Sequence, residues 1–156
     1  MLDIRSVYYQ IGHKKILRDI SVQFQPGVFN MILGPNGSGK SSLLKIFSGE
    51  KAHYQGLVTY EGKDLKDWNR NELARKRAVM SQQPDLHFPL TVAEVVMMGR
   101  YPHFHFAPGK TDWRICDEVI SLMKLDDFRE RNYLTLSGGE KQRVQFARVL
   151  AQVWEL

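Results

Sequence analysis

Gly34-Pro35-Asn36-Gly37-Ser38-Gly39-Lys40-Ser41 is the stretch from which the fold of this sequence is read. Its spacing is Gly-x4-Gly-Lys-Ser, a pattern that carries meaning only between a strand and a helix. Upstream, Val28 to Leu33 is a short apolar run interrupted by Asn30, which predicts a strand buried on both faces. Downstream, Leu43, Leu44, Ile46 and Phe47 recur at helical spacing until Gly49. A strand, a glycine-rich turn and a helix in this order make a phosphate cradle. Gly34, Gly37 and Gly39 let the backbone curl closely and turn its N–H groups inward, and the helix start adds a favourable dipole. Lys40 is placed to bridge β- and γ-phosphates, Ser41 to ligate Mg²⁺, and Ser42 to make a further phosphate contact. A chance match in a chain of ordinary glycine content has a probability on the order of 1%, and the flanking elements lower it. The predicted phosphate set is therefore Gly34, Pro35, Asn36, Gly37, Ser38, Gly39, Lys40, Ser41 and Ser42.

Working outward, the first thirty residues read as antiparallel strands. Leu2, Ile4 and Val7 lead into Tyr8-Tyr9; Gly12 to Lys15 makes a hairpin connection; Ile16, Ile20, Val22 and Phe24 share one parity. Further strands are predicted around Leu57–Tyr60 and Arg77–Ser81, and a short helix around Asn69–Lys76. Thr91-Val92-Ala93-Glu94 and Ser137-Gly138-Gly139-Glu140 both have capping-box form and open helices. Trp113, Cys116, Val119, Ile120 and Met123 recur at helical spacing, with Cys116 a small core residue.

The bulk properties are those of a globular chain: 156 residues, 43% hydrophobic, 25% charged and 11% aromatic. Disorder is excluded as the main state, and no apolar run reaches the roughly 18 residues of a membrane span. The N-terminus lacks a basic-then-apolar leader pattern, so the chain is expected to stay where it is made. One cysteine allows no internal disulfide. A net charge of +5 suits anionic partners without choosing among them. The basic run Arg75-Lys76-Arg77, with Arg70 nearby, reads as a solvated helix face.

The cradle alone leaves kinases, GTPases, helicases and transporters open. Leu136-Ser137-Gly138-Gly139-Glu140, continued by Lys141-Gln142-Arg143-Val144, narrows the choice. It resembles the signature motif of ABC ATPases, and the resemblance runs through the whole chain. Gln82, in Met80-Ser81-Gln82-Gln83-Pro84, is similar to the family's Q-loop glutamine. Leu90 to Val96 with Gly99-Arg100-Tyr101-Pro102-His103 resembles the ATPases of iron-chelate, cobalamin and haem importers. Within that group Ser48-Gly49-Glu50, Asp67-Trp68, Leu73-Ala74-Arg75 and Ala147 to Gln152 are most similar to haemin-importer ATPases.

The resemblance implies an α/β P-loop NTPase with an N-terminal antiparallel β subdomain, a partial RecA-like parallel sheet and a helical subdomain. Residues 1–156 then form one partial domain, about 1–85 carrying the β subdomain and P-loop core and about 86–145 the helical subdomain. It implies ATP with Mg²⁺, the metal reached through Ser41 and Gln82. Ser137, Gly138, Gly139 and Glu140 then meet ATP bound on a second copy, packed head to tail. Ser137 also serves as an ordinary helix cap, and both roles are compatible, because a cap hydroxyl can later turn to a phosphate. Transmembrane permease subunits are implied partners, a periplasmic substrate-binding protein an indirect one, and nucleic acid none. The implied location is peripheral, on the cytoplasmic face of the inner membrane. A truncated non-catalytic fragment that at most binds nucleotide is the second possibility, and an ABC protein acting on ribosomes or DNA the third; those usually carry tandem cassettes or long insertions, which this sequence lacks.

The family's adenine-stacking aromatic aligns with Ile11; Tyr9 is preferred as a substitute, with Tyr8 as the alternative. His103-Phe104-His105 lacks a third ligand for a metal and is expected in a loop beside the membrane subunit. The family pattern continues after the signature helix with an apolar strand ending in Asp-Glu, then a switch histidine, and Val153 to Leu156 precede any of these. Asp117-Glu118 lies in a helical pattern and is no substitute. No ATP turnover is therefore expected from this chain alone. The missing strand is expected beside Val28–Leu33. Its loss forfeits on the order of 8–15 kcal/mol of burial against a typical net stability of about 5–15 kcal/mol, so the isolated chain is expected to be marginal or unfolded.

Overall fold

The computed structural model describes residues 1–80 and 86–155, in two compact units, Met1–Trp68 and Asn69–Leu156. In the first unit β1 (Leu2–Ile11) and β2 (Lys14–Phe24) form the expected hairpin. β3 (Gln55–Tyr60) pairs with the other edge of β1, and β4 (Lys63–Asp64) extends it, giving an antiparallel sheet in the order β2-β1-β3-β4. Ile4 lies opposite both Val22 and Val58, so three β-branched side chains stack across the sheet. Ile4, Val7 and Val58 are fully or almost fully buried. Helix α1 (Lys40–Phe47) buries Leu43, Ile46 and Phe47, the last meeting Phe24 of β2 edge-on at 5.3 Å between ring centres. Each such side chain contributes about 1.5–3 kcal/mol when fully buried.

Two expected strands are not formed. Val28–Leu33 carries no strand, and its side chains face solvent: Phe29 is 88% and Leu33 81% exposed. A strand apolar on both faces is stable only between two neighbours, and among the described residues no strand pairs with this segment. Residues 77–80 likewise form no strand, and Ser81 lies outside the described residues.

The second unit is helical: α2 (Arg70–Lys76), α3 (Val92–Met97), a 3-10 segment Met98–His103, α4 (Lys110–Leu122) and α5 (Gly138–Val153). Its core is built from Val92, Val95 and Val96 of α3, Ile115, Val119 and Ile120 of α4, and Val144, Ala147 and Ala151 of α5. Cys116 lies inside it, as expected. Thr91 caps α3 in a full capping box: its N–H donates to Glu94 Oε2 at 2.7 Å, and the Glu94 N–H donates back to Thr91 Oγ1 at 3.2 Å. α2 is tied to the rest of this unit by side-chain hydrogen bonds. Arg75 Nε donates to the Pro102 carbonyl at 2.7 Å and Gln152 Nε2 to that of Ala74 at 2.7 Å, and these bonds hold α2 in the helical unit.

Candidate nucleotide-binding site

The glycine-rich stretch from Gly34 leads through a turn into the start of α1. After the turn closed by the Ser38 N–H on the Pro35 carbonyl, Gly39 stands at the N-cap of α1 with φ +95, left-handed backbone that L side chains rarely adopt. A Cβ on Gly39 would also meet Leu17 Cδ2 at 2.8 Å and the Ile16 carbonyl oxygen at 3.1 Å. Position 39 therefore admits only glycine, for its dihedral and for its neighbours. Lys40 folds back over the loop, its ammonium donating to the carbonyls of Gly34 and Pro35 at 2.8 Å each. Ser41 is exposed and Ser42 half-buried in the first turn of α1, whose leading N–H groups have no partner within the helix. α1 carries no acidic residue in its first turn, so nothing opposes an anion there.

The signature segment is a second exposed helix start. Ser137 caps α5: its N–H donates to Glu140 Oε2 at 2.7 Å, and the Glu140 N–H reaches Ser137 Oγ at 3.4 Å. Hydrogen bonds from Ser137 hold the Glu140 carboxyl below its ordinary value. Gly138 and Gly139 have open space where side chains would stand, so their N–H groups are unobstructed.

Tyr9 is half-buried and lies opposite Leu17, between two register shifts; Ile11 stands at the hairpin end, 58% exposed. Tyr8, Tyr9, Leu17, His53 and Tyr54 border a cavity of about 620 Å³. Leu17 thus borders this cavity and the cradle at Gly39 alike. Gln82 lies outside the described residues.

Met98–His103 is a 3-10 turn in which Gly99 and Arg100 are buried, and of the expected His103–His105 loop His103 ends that turn while Phe104 and His105 lie outside any helix or strand. His103 Nε2 lies 2.8 Å from the Gln152 carbonyl, while His105 is exposed. Burial lowers the His103 pKa, outweighing the hydrogen bond to Gln152 that raises it. Among the described residues no group of three or more His, Cys, Asp or Glu is placed to hold a metal. Leu90, Met97, Tyr101, Phe104, Phe106 and Trp113 border an open groove of about 650 Å³ in this unit. The basic run is exposed at Arg75 and Lys76, as expected of a helix face, although Arg75 is also tied to Pro102. Arg100, which the sequence presents only within the Gly99–His103 motif, donates to the carbonyls of Ala151 and Trp154, far along the chain. Its one local signal was a charged residue within an otherwise apolar helix end.

Comparison with known proteins shows the family. The profile of the family described as ABC transporter matches residues 17–156. The hemin import ATP-binding protein HmuV of Methylobacillus flagellatus is 43% identical over 155 residues, 99% of this chain and 58% of that protein. The protein of the same name from Pseudomonas putida is 44% identical over 154 residues, covering 99% and 60%. The chain thus spans a little over half the length of the curated relatives it matches. A nucleotide-free ATP-binding cassette from an ABC transporter superposes with TM-score 0.84 at 25% identity, over 97% of this chain and 64% of that one. An inward-facing putative metal-chelate type ABC transporter does so with TM-score 0.81 at 22% identity, over 97% and 55%, a likeness of fold. Among the described residues no helix is long and apolar enough to cross a membrane.

Proposed function

This chain belongs to the ABC transporter family, and from that premise we propose that it carries the nucleotide-binding part of a haemin importer's ATPase subunit. The observation that carries the proposal is the cradle at Gly34–Ser42, where an exposed helix start, a left-handed Gly39 and a folded-back Lys40 converge. ATP enters with its phosphates over α1 and Mg²⁺ at Ser41, and Gln82 completes the metal's surroundings. The adenine lies against Tyr9, a placement supported by Leu17, which borders both the tyrosine-lined cavity and the cradle. Ser137, Gly138 and Gly139, with Glu140 holding the turn, face the phosphates of a second copy packed head to tail. The aromatic groove around Tyr101 and Phe104 faces permease subunits at the cytoplasmic side of the membrane. The haemin assignment is supported by the names of the relatives that match along the chain's length.

A titration tests the proposal. The chain binds Mg-ATP, and Lys40→Ala weakens binding at least about 100-fold, given the roughly 1.5–3 kcal/mol of a charged hydrogen bond and the loss of further contacts that Lys40 organises. Undiminished affinity in Lys40→Ala overturns the cradle assignment.

A further inference from the structure

We propose that Arg100 and His103 are positioning residues for the signature serine, acting through the opposite end of α5. The inference rests on the proposed role of Ser137–Gly139 as a phosphate-binding helix start. α5 has 16 residues and is therefore about 24 Å long. One end presents Ser137, Gly138 and Gly139 to solvent. At the other end the last carbonyls lack partners within the helix, and side chains from Met98–His103 take them up.

Arg100 is 4% exposed. One terminal nitrogen of its guanidinium donates to the Ala151 carbonyl at 2.7 Å and to that of Trp154 at 3.3 Å, while Nε donates to Asp112 Oδ1 of α4 at 3.1 Å. A single planar fork thus ties α4 to the end of α5. The cation also stands where the helix dipole favours it. His103 Nε2 donates to the Gln152 carbonyl at 2.8 Å, and the Gln152 side chain donates to the carbonyls of Ala74 and Arg77 at 2.7 and 3.1 Å. Beneath these bonds Gly99 lies so close that a Cβ would stand 2.1 Å from the Arg148 carbonyl oxygen.

The apolar contacts of Val144, Ala147 and Ala151 set how near α5 lies to its neighbours, and such burial is non-directional. The position of α5 along its axis and its tilt are set by the directional bonds at its end. A tilt of about 5° there moves the other end of a 24 Å rod by about 2 Å. Hydrogen bonds tolerate only a few tenths of an ångström, and a misplacement of about 1 Å can cost a site on the order of 100-fold. Arg100 and His103 touch no nucleotide in this scheme; they aim the helix that does.

The test is peptide-resolved hydrogen exchange on the whole chain with and without Mg-ATP. In the unmodified protein nucleotide slows exchange at Gly37–Ser41 and at Ser137–Lys141, each by about tenfold or more, the equivalent of at least 1.4 kcal/mol of protection. Arg100→Lys keeps the charge and loses the fork. It retains the slowing at Gly37–Ser41, reduces that at Ser137–Lys141 to below about twofold, and leaves nucleotide-free exchange at Val144–Leu150 within about threefold of the unmodified protein. His103→Ala, which removes an anchor without stranding a buried charge, gives the same pattern and decides the matter if Arg100→Lys does not fold. Full ATP-dependent slowing at Ser137–Lys141 in a folded variant overturns the inference while the nucleotide reading stands. So does faster exchange throughout α5 in both variants, which marks a role in folding only. Absence of slowing at either segment in the unmodified protein overturns the underlying reading and the inference with it.

Discussion

Gly99→Ala adds one methyl group where the 3-10 segment crosses α5. The new Cβ would stand 2.1 Å from the Arg148 carbonyl oxygen, 3.1 Å from its carbon and 3.2 Å from the Gln152 nitrogen, all backbone atoms. No side chain can swing aside, so α5 must retreat by about 1.3 Å for the tightest pair to reach the 3.4 Å at which ordinary contact begins. Overpacking of this kind costs about 1–3 kcal/mol. The retreat also stretches the Arg100–Ala151 bond of 2.7 Å and the His103–Gln152 bond of 2.8 Å past useful length. Losing them adds about 1.5–3 and 0.5–1.5 kcal/mol respectively. The total is about 3–7 kcal/mol, or roughly 10²–10⁵ in the opening equilibrium of the helical unit. Native-state hydrogen exchange of the Val144–Leu150 amides reads that equilibrium directly. Gly138→Ala is the control, since a Cβ there meets nothing within 4 Å and the helix gains about 0.5–1 kcal/mol. Exchange in Gly99→Ala within fivefold of the unmodified protein would refute the close-approach account of this glycine.

Two further outcomes are expected. Burial pushes the Cys116 thiol up to about 12, so at pH 8 iodoacetamide should label it only as fast as the helical unit opens; labelling of the folded protein at the rate of a free thiol contradicts its place in the core. Hydrogen bonds from Ser137 hold Glu140 below its ordinary value, so its contribution to folding is present above about pH 4.5 and fades as the pH falls through the lower folded value. Protection of the Ser137–Lys141 amides, taken as exchange relative to the intrinsic rate at each pH, should therefore fall on acidification from pH 5 to pH 3, and Glu140→Gln should flatten that response; a steeper fall in the variant would exclude the cap as its source.

What could be read from the residues divides along a physical line. The glycine turn before α1, both capping boxes and the β1–β2 hairpin were legible because each is settled within a few residues by dihedral preference or a local hydrogen bond. Val28–Leu33 was misread because a buried strand is a property of its neighbours, and a run of apolar residues does not supply them. The attachment of α2 to the helical unit is made through Pro102 and Gln152, residues too distant in sequence for local pattern to show. Arg100 was visible as a residue and illegible as an anchor, since the carbonyls it binds lie 51 and 54 positions away. Tyr9 shows the same limit at short range. The register shift beside it decides which neighbour it faces, and residue type does not announce that shift.

Lys40 rests on the carbonyls of its own loop, and this has a consequence for how an anion would be received. An ammonium group has three protons to give, and Gly34 and Pro35 take two of them. The third stays free, so the side chain can greet an arriving phosphate while keeping its existing grip. A rotor already halted in place has little motional freedom left to surrender, which favours capture on first encounter over a search after contact.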